Sequence, residues 1–448
     1  MNDAWDELVS AALMGTHRRP YQGELLESAA VHVVRRRAGR LVSEAEAAGG
    51  AAAGEEAEAV SRAAGERLAR ILGGEQPRLL PEWLQAAAKT GRRVPPHLVP
   101  DLLDQGARDR SIRAHLGVLA GHRGRWLAGL NPGWAYLLAE PTGETWELGS
   151  AGDRRAYLRE LRAADPAKAR GLLEGGWEKE TPDDRAEFLA LLAEGLSMDD
   201  EPFLEAALDD RRREVRQHAA DLLTRLPDSR LSHRMAERAA ACLTVRARTI
   251  IAEPPRACDK EMERDGVRAK PPRGTGERAW WLQQIVARTP LAFWGGPAER
   301  LVRKRISDWD REVKAGWVRA AVLQGDPGWA RALFAWDPLA DLLAALPPAE
   351  QEAVAADFVK RHGVDGQLIM VLGGVSVPWG ADLALAVLKK ILKVAGSQPW
   401  NLGELTRIAG ECIDPALHAM AAALSPEPPV QEVAALLRFR SDMLKELA

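Results

Sequence analysis

A chain of 448 residues, 46% hydrophobic and 28% charged, carries enough apolar material for several packed cores, so a largely disordered chain is excluded. Its 61 Lys plus Arg nearly balance 64 Asp plus Glu, and a net charge of -3 advertises no global affinity for nucleic acid or an anionic membrane. Three cysteines, Cys242, Cys258 and Cys412, are an odd number at wide spacing, which speaks against a disulfide framework and fits a reducing cytoplasm.

The first residues, MNDAWDELVS, carry acids where an export signal would carry a basic region and an apolar run, so no signal is expected. Residues 1–42 read as a helical segment. Residues 43–65, which contain EAEAAGGAAAGEEAEAV, read as a low-complexity linker rich in Ala, Gly and Glu. Helical periods then fill residues 66–252. Within them NPGWAYLL begins at Asn131; it returns as DPGWARALF at Asp326 and more weakly as DPAKARGLL at Asp165. Each Asn or Asp can cap exposed backbone donors, while the proline behind it takes a position whose missing amide proton costs nothing. Asp337-Pro338 and Asp414-Pro415 repeat the pair, and Trp134 and Trp329 are expected as packing anchors in the first turn.

Thr181 is an expected N-cap, with Pro182 in the first turn and Phe188, Leu189, Leu192 and Leu196 along one face. A second helix is expected from near Glu201. A third follows in DDRRREVRQHAADLLTRLPDS, where Val215, Ala219, Leu222, Leu223 and Leu226 recur at intervals of three and four. Amphipathic helices with short connections must stack to bury their faces. Typical helix and loop lengths predict roughly 18 to 22 helices in this length, and strand patterns are nearly absent.

Residues 253–276, with Pro254-Pro255, Pro271-Pro272 and many charges, read as a long charged loop, which is a functional or a mobile element. Helical periods resume over 277–448. The longest uncharged run, 366–381, contains Pro378 and four Gly and falls short of the roughly 20 residues of a membrane span, so no membrane partner is expected.

Motifs that carry chemistry are missing. There is no G-x-x-x-x-G-K-[ST], no H-E-x-x-H, no C-x-x-C and no G-x-S-x-G, and the nine histidines are dispersed. The G-x-G-x-x-A at Gly274 follows PPR where a buried strand should stand. Asp259, Glu261, Glu263 and Asp265 alternate, but Arg264 and Lys270 occupy the glycine and bidentate glutamate positions of a calcium loop. No catalytic residue, metal or cofactor is therefore assigned. Basic clusters at Arg35-Arg36-Arg37, Arg211-Arg212-Arg213 and Arg303-Lys304-Arg305 have acids beside them and read as solvated faces or ion pairs between repeats. The remaining candidates for partner binding are Asp259, Arg264 and Asp265 in the long loop and Trp280 behind it, since Trp and Arg dominate binding hot spots.

DRRREVRQHAADLL, with Asp210, Val215, Arg216, Ala219, Leu222 and Leu223, resembles the second helix of a HEAT repeat, in which the acid and the arginine pair between neighbours. Asp310-Arg311-Glu312-Val313, leading to Trp317 and Ala321, is a looser copy. RGRWLAGLNPGWAYLL, DEPFLEAALDDRRREVRQHAADLL and GERAWWLQQIVARTPLAFW also resemble a bacterial family that carries only a domain-of-unknown-function label. That resemblance implies a helical-repeat protein often encoded near a MoxR-type AAA ATPase, a von Willebrand A domain protein and a SWIM zinc-finger protein. It supplies no catalytic residues.

The expected protein is thus an all-α, HEAT-like helical repeat (α-solenoid). It would act as a cytoplasmic, non-enzymatic scaffold or adaptor for another protein, a MoxR-type AAA ATPase being the implied partner. Nucleic acid is not the expected partner, and a HEAT-like nucleic-acid-binding protein stands as the alternative. The sequence leaves the oligomeric state open.

Overall fold

Apolar residues at helical spacing bury one stripe of each segment, and in the computed structural model helices dominate accordingly. The described residues are 3–15, 18, 24–38, 52–138, 146–147, 149–396 and 399–448. Residues 43–51 of the expected linker and the side chains of Arg35, Arg36 and Arg37 lie outside them. The chain divides into two units, residues 1–59 with 91–138, and residues 60–90 with 139–448. This grouping differs from consecutive repeat regions over 66–252 and 277–448, because it joins residues 60–90 to the C-terminal part of the chain.

The first unit contains α1 (Asp3–Met14), α2 (Leu25–Ala38), α5 (Val99–Arg108), α6 (Arg113–Leu119) and α7 (Gly121–Leu130). The NPGWAYLL motif forms a 3-10 helix, Pro132–Leu137, capped by the Asn131 side chain. Trp134 donates from Nε1 to Asp104 at 2.8 Å, and Tyr136 donates its hydroxyl to the Leu103 carbonyl at 2.8 Å. Residues 52–59 of the expected linker are tied down. The Glu55 carboxylate accepts from the amides of His122 and Arg123 at 3.0 and 2.9 Å. Burial pushes this carboxyl up, but the two amide donors outweigh it and hold it below the usual Glu range.

The second unit holds α3 (Arg62–Leu72) and α4 (Leu80–Lys89), and α3 begins inside the expected linker, capped by Ser61. It continues with α8 (Ala151–Ala164), α9 (Pro166–Gly176), α10 (Pro182–Leu191), α11 (Glu201–Ala207), α12 (Arg213–Thr224) and α13 (Arg230–Cys242). After β1 (Leu243–Val245) and β2 (Thr249–Ala252) come α14 (Lys260–Arg264), α15 (Glu277–Arg288), α16 (Ala298–Val302), β3 (Arg305–Ile306), α17 (Asp310–Gln324) and α18 (Pro327–Phe334). The last elements are α19 (Ala340–Ala344), α20 (Pro348–Arg361), α21 (Gly366–Leu372), α22 (Ala381–Val394), α23 (Pro399–Cys412), α24 (His418–Leu424) and α25 (Pro428–Leu447). The helices exceed the expected roughly 18 to 22 because several, such as α14, α16 and α19, have only five residues.

In this unit α8 packs on α10, α10 on α12, α15 on α17, α20 on α22 and α23 on α25. The expected faces are buried: Val215, Ala219, Leu222 and Leu223 on α12 with Leu226 just after it, and Phe188 and Leu189 on α10. A Cβ on Gly316 of α17 would lie 2.6 Å from Val286 of α15, so only glycine allows that approach. Arg67 on α3 donates from Nε and Nη2 to Glu446 on α25, both at 2.6 Å.

A small sheet departs from the helical expectation. β1 and β2 form an antiparallel hairpin, and β3 adds in parallel with Ile306 opposite Ile250. Thr249-Ile250-Ile251 is a short β-branched run, and pairing with a strand some 55 residues later is what fixes it.

The Asp-Pro reading is kept at Asp165 and Asp326, which cap α9 and α18, and at Asp414, which caps a 3-10 turn. Asp337-Pro338 does not cap; Leu339 precedes α19. Trp329 is a buried anchor whose ring lies tilted, 5.2 Å from that of Trp317, which meets Trp294 edge-on at 5.0 Å. Trp134 is only half-buried.

Candidate functional site

Helical spacing puts Arg230, Arg234 and Arg238 on one stripe of α13, and Glu201 and Glu205 one turn apart on α11. Between these helices runs residues 253–276, which is a built element and not an open loop. Its helix α14 is capped by Asp259, whose Oδ1 accepts from the Met262 amide at 2.7 Å. Arg278 donates to the carbonyls of Pro254 and Pro255, and Gln217 of α12 donates to the carbonyl of Gly266. Trp281 reaches the Ala269 carbonyl at 2.9 Å, while Gln284 both accepts from and donates to the backbone of Arg268.

Asp265 is 1% exposed and lies at the centre. Arg234 grips it from Nε and Nη2 at 2.9 and 2.7 Å, and Arg238 donates to it at 2.6 Å. Arg264 donates to Asp209 at 2.6 and 2.9 Å, to Glu205 at 2.9 Å and, more distantly, to Asp265 itself at 3.4 Å. Arg234 also pairs with Glu205 at 2.8 Å, and Arg230 with Glu201 at 2.8 Å. Burial pushes the Asp265 carboxyl up, and the guanidinium donors of Arg234 and Arg238 more than reverse it, holding the group below the usual Asp range. The hydrogen bond from Arg230 does the same for Glu201, and that from Arg264 for Asp209.

The sequence candidates therefore separate. Arg264 and Asp265 join one network, Asp259 caps the helix that leads to it, and Trp280 is not part of it. Trp280 is half-buried against the core, and its Nε1 is buried without a partner; Trp281 is the fully buried neighbour.

Similar pairs recur along the unit. Arg162 meets Asp200 at 2.6 Å with both side chains fully buried, and Arg170 joins them at 2.9 Å. Arg185 of α10 pairs with Asp210, ahead of α12, at 3.3 Å. Arg216 instead donates to the carbonyls of Asp210 and Arg211 at the start of its own helix. Asp221 takes Arg288 at 3.1 Å and Arg319 at 2.7 Å. Of the basic clusters, Arg213 pairs with Glu214 and Lys304 donates to the Arg246 carbonyl, while Arg211 and Arg212 stay exposed.

Among the described residues, the carboxylates of this network are paired with arginines, and hydroxyls at the start of α13 are engaged. The Ser229 and Ser232 hydroxyls bond to helix carbonyls at Leu223 and Leu226. Burial raises the Cys242 thiol, and burial with Glu263 and Asp259 pushes Cys258 up to about 11, so both are protonated thiols at neutral pH. Among the described residues, no group of three or more His, Cys, Asp or Glu is placed to hold a metal ion. No helix among them is long and apolar enough to cross a membrane.

A second place was missed from sequence. Between α20 and α22 a groove of about 630 Å³ has Ala353, Ala356, Leu385 and Ala386 along it and Lys360, Lys389, Lys390 and Lys393 at one end. Lys390 is buried and donates to the carbonyls of Lys360 and His362 at 3.4 and 2.7 Å, so it satisfies the C-terminal end of α20. Burial and the nearby Lys393 lower its pKa. The only local signal was LKKILK, in which Lys389 and Lys393 at i and i+4 share a face; Lys360 arrives from 29 residues upstream.

Residues 7–447 match the model of a family described as being of unknown function, DUF5691. No curated protein and no solved structure matches the chain.

Proposed function

We propose that this chain, which belongs to the DUF5691 family of unknown function, is a non-enzymatic, HEAT-like helical-repeat scaffold that presents an extended helical surface to a partner protein in the cytoplasm. One observation carries the reading: arginine–carboxylate pairs tie helices of the larger unit to one another, at Arg234–Glu205 and Arg288–Asp221, and to the turns between them, at Arg162–Asp200 and Arg185–Asp210. Such pairs fix the register of stacked helices, and a surface held in register loses little freedom on binding. A MoxR-type AAA ATPase assembly is the partner we propose, on the family resemblance in the central helices.

The test is capture of the tagged protein from lysate of its own source at low and moderate salt, with proteins and nucleic acids identified together. A stoichiometric ATPase establishes the adaptor reading. Nucleic acid released steeply by salt would replace it with the second reading, which the lysine end of the groove favours.

A further inference from the structure

We propose that the groove between α20 and α22 is the docking site for an acidic amphipathic helix of a partner protein. The proposal rests on the scaffold reading for the class of ligand and adds to it a place and a chemistry.

The groove has a direction. Lys390 of α22 reaches the carbonyls that end α20, so the C-terminal ends of the two helices lie together, and Lys360, Lys389 and Lys393 gather there. Asp382, in the first turn of α22, marks the opposite end. Between them the floor is alanine and leucine, and small side chains let a third helix approach closely.

Its charge is one-sided. The buried arginines of the unit, Arg67, Arg162, Arg288 and Arg440, are matched to carboxylates, whereas Lys360, Lys389 and Lys393 are exposed and have no carboxylate within ion-pair distance among the described residues. Lys389 and Lys393 stand one turn apart as like charges, an arrangement that destabilises an isolated helix. Favourable interaction with the helix dipole accounts for Lys360 and Lys393 in their last turns, and Lys390 has its two carbonyls. Lys389 is left over. An occupant with an apolar stripe and flanking carboxylates would cover the floor and neutralise this end together.

A phosphate polyanion fits less well. The lining holds no arginine, its floor offers no donor, and Asp357, three residues before Lys360, puts a carboxylate near the lysine end. Nucleic acid and polyphosphate are therefore outcomes of the test.

The probe is a labelled helix of roughly 14 residues, as long as α22, with leucines at i, i+3, i+4 spacing and glutamates beside them. Its control has the same composition with the leucines scrambled. Anisotropy titrations of the full chain should give saturable binding of the amphipathic probe and binding of the control about tenfold weaker or less. The Lys389→Glu, Lys393→Glu double variant should weaken the probe by about tenfold or more. Ala353→Trp, at an exposed floor position, should block it with the melting temperature unchanged. Equal binding of the scrambled control, full binding by Ala353→Trp, or displacement of the probe by an oligonucleotide or tripolyphosphate at lower concentration would each overturn the proposal. If these variants still capture a stoichiometric partner from lysate, the groove proposal falls and the scaffold reading stands.

Discussion

Arg234 holds Asp265 through two parallel hydrogen bonds of 2.9 and 2.7 Å, joining α13 to a segment 31 residues later in the chain. The carboxylate is almost wholly buried and its arginine partners are partly exposed, so its removal strands positive charge at a protein–solvent boundary.

Asp265→Asn should cost about 3 kcal/mol at neutral pH, the range for breaking a buried pair from one side. The folded-state pKa of Asp265 is lowered, so its contribution is fully present above the ordinary Asp value and is lost as pH falls through the lowered one. Urea unfolding of both proteins should show the gap narrowing once pH drops below about 4. A gap independent of pH would mean that the carboxylate's charge is not what matters.

Gly266 has φ +83°, and a Cβ there would lie 2.7 Å from that of Ala220. Gly274 has φ +86° with nothing near its Cβ position. Gly274→Ala should therefore cost about 1 kcal/mol for the left-handed backbone, and Gly266→Ala at least 1 kcal/mol more for the clash. Thermal melts that give equal losses would remove the close approach of residues 253–276 to α12.

Trp317 is fully buried between Trp294 and Trp329. Its replacement by alanine should cost about 3–5 kcal/mol, while Trp280→Ala, from a half-buried site, should cost less than half of that. If Trp280→Ala weakens partner capture and leaves the melting temperature nearly unchanged, that side chain is an interface anchor; the reverse assigns it to the core.

Asp326 accepts from the Trp329 amide at 2.9 Å. Asp326→Ala should lose about 1 kcal/mol, and Asp326→Asn should recover most of it. Asp337→Ala, at an Asp-Pro pair that caps nothing, should fall within about 0.5 kcal/mol of the parent in the same denaturation series.

Local rules made much of the helical architecture legible. Thr181 caps α10, Asp165 caps α9 and Val215 to Leu226 form a buried stripe, because capping and the 3.6-residue period act within a few residues. The same rules misjudged Asp337-Pro338, where one more residue, Leu339, intervenes before the helix begins at Ala340. They also passed over Thr249-Ile250-Ile251-Ala252, a strand that exists by virtue of Leu243-Thr244-Val245 before it and Arg305-Ile306 after it.

The candidate site was legible only in part. Sequence singled out Arg264 and Asp265 as charged residues in a long insertion, and by itself it determined the helices, their buried faces and the lack of recognised catalytic motifs. Tertiary structure decided that Asp265 is buried among arginines from another helix and that Lys360 joins Lys389 and Lys393 in one groove. It also decided that residues 60–90 belong with α25. The physical reason is range: a cap or an amphipathic period is set by neighbours a turn away, whereas an ion pair depends on which helices the burial of many apolar faces brings together.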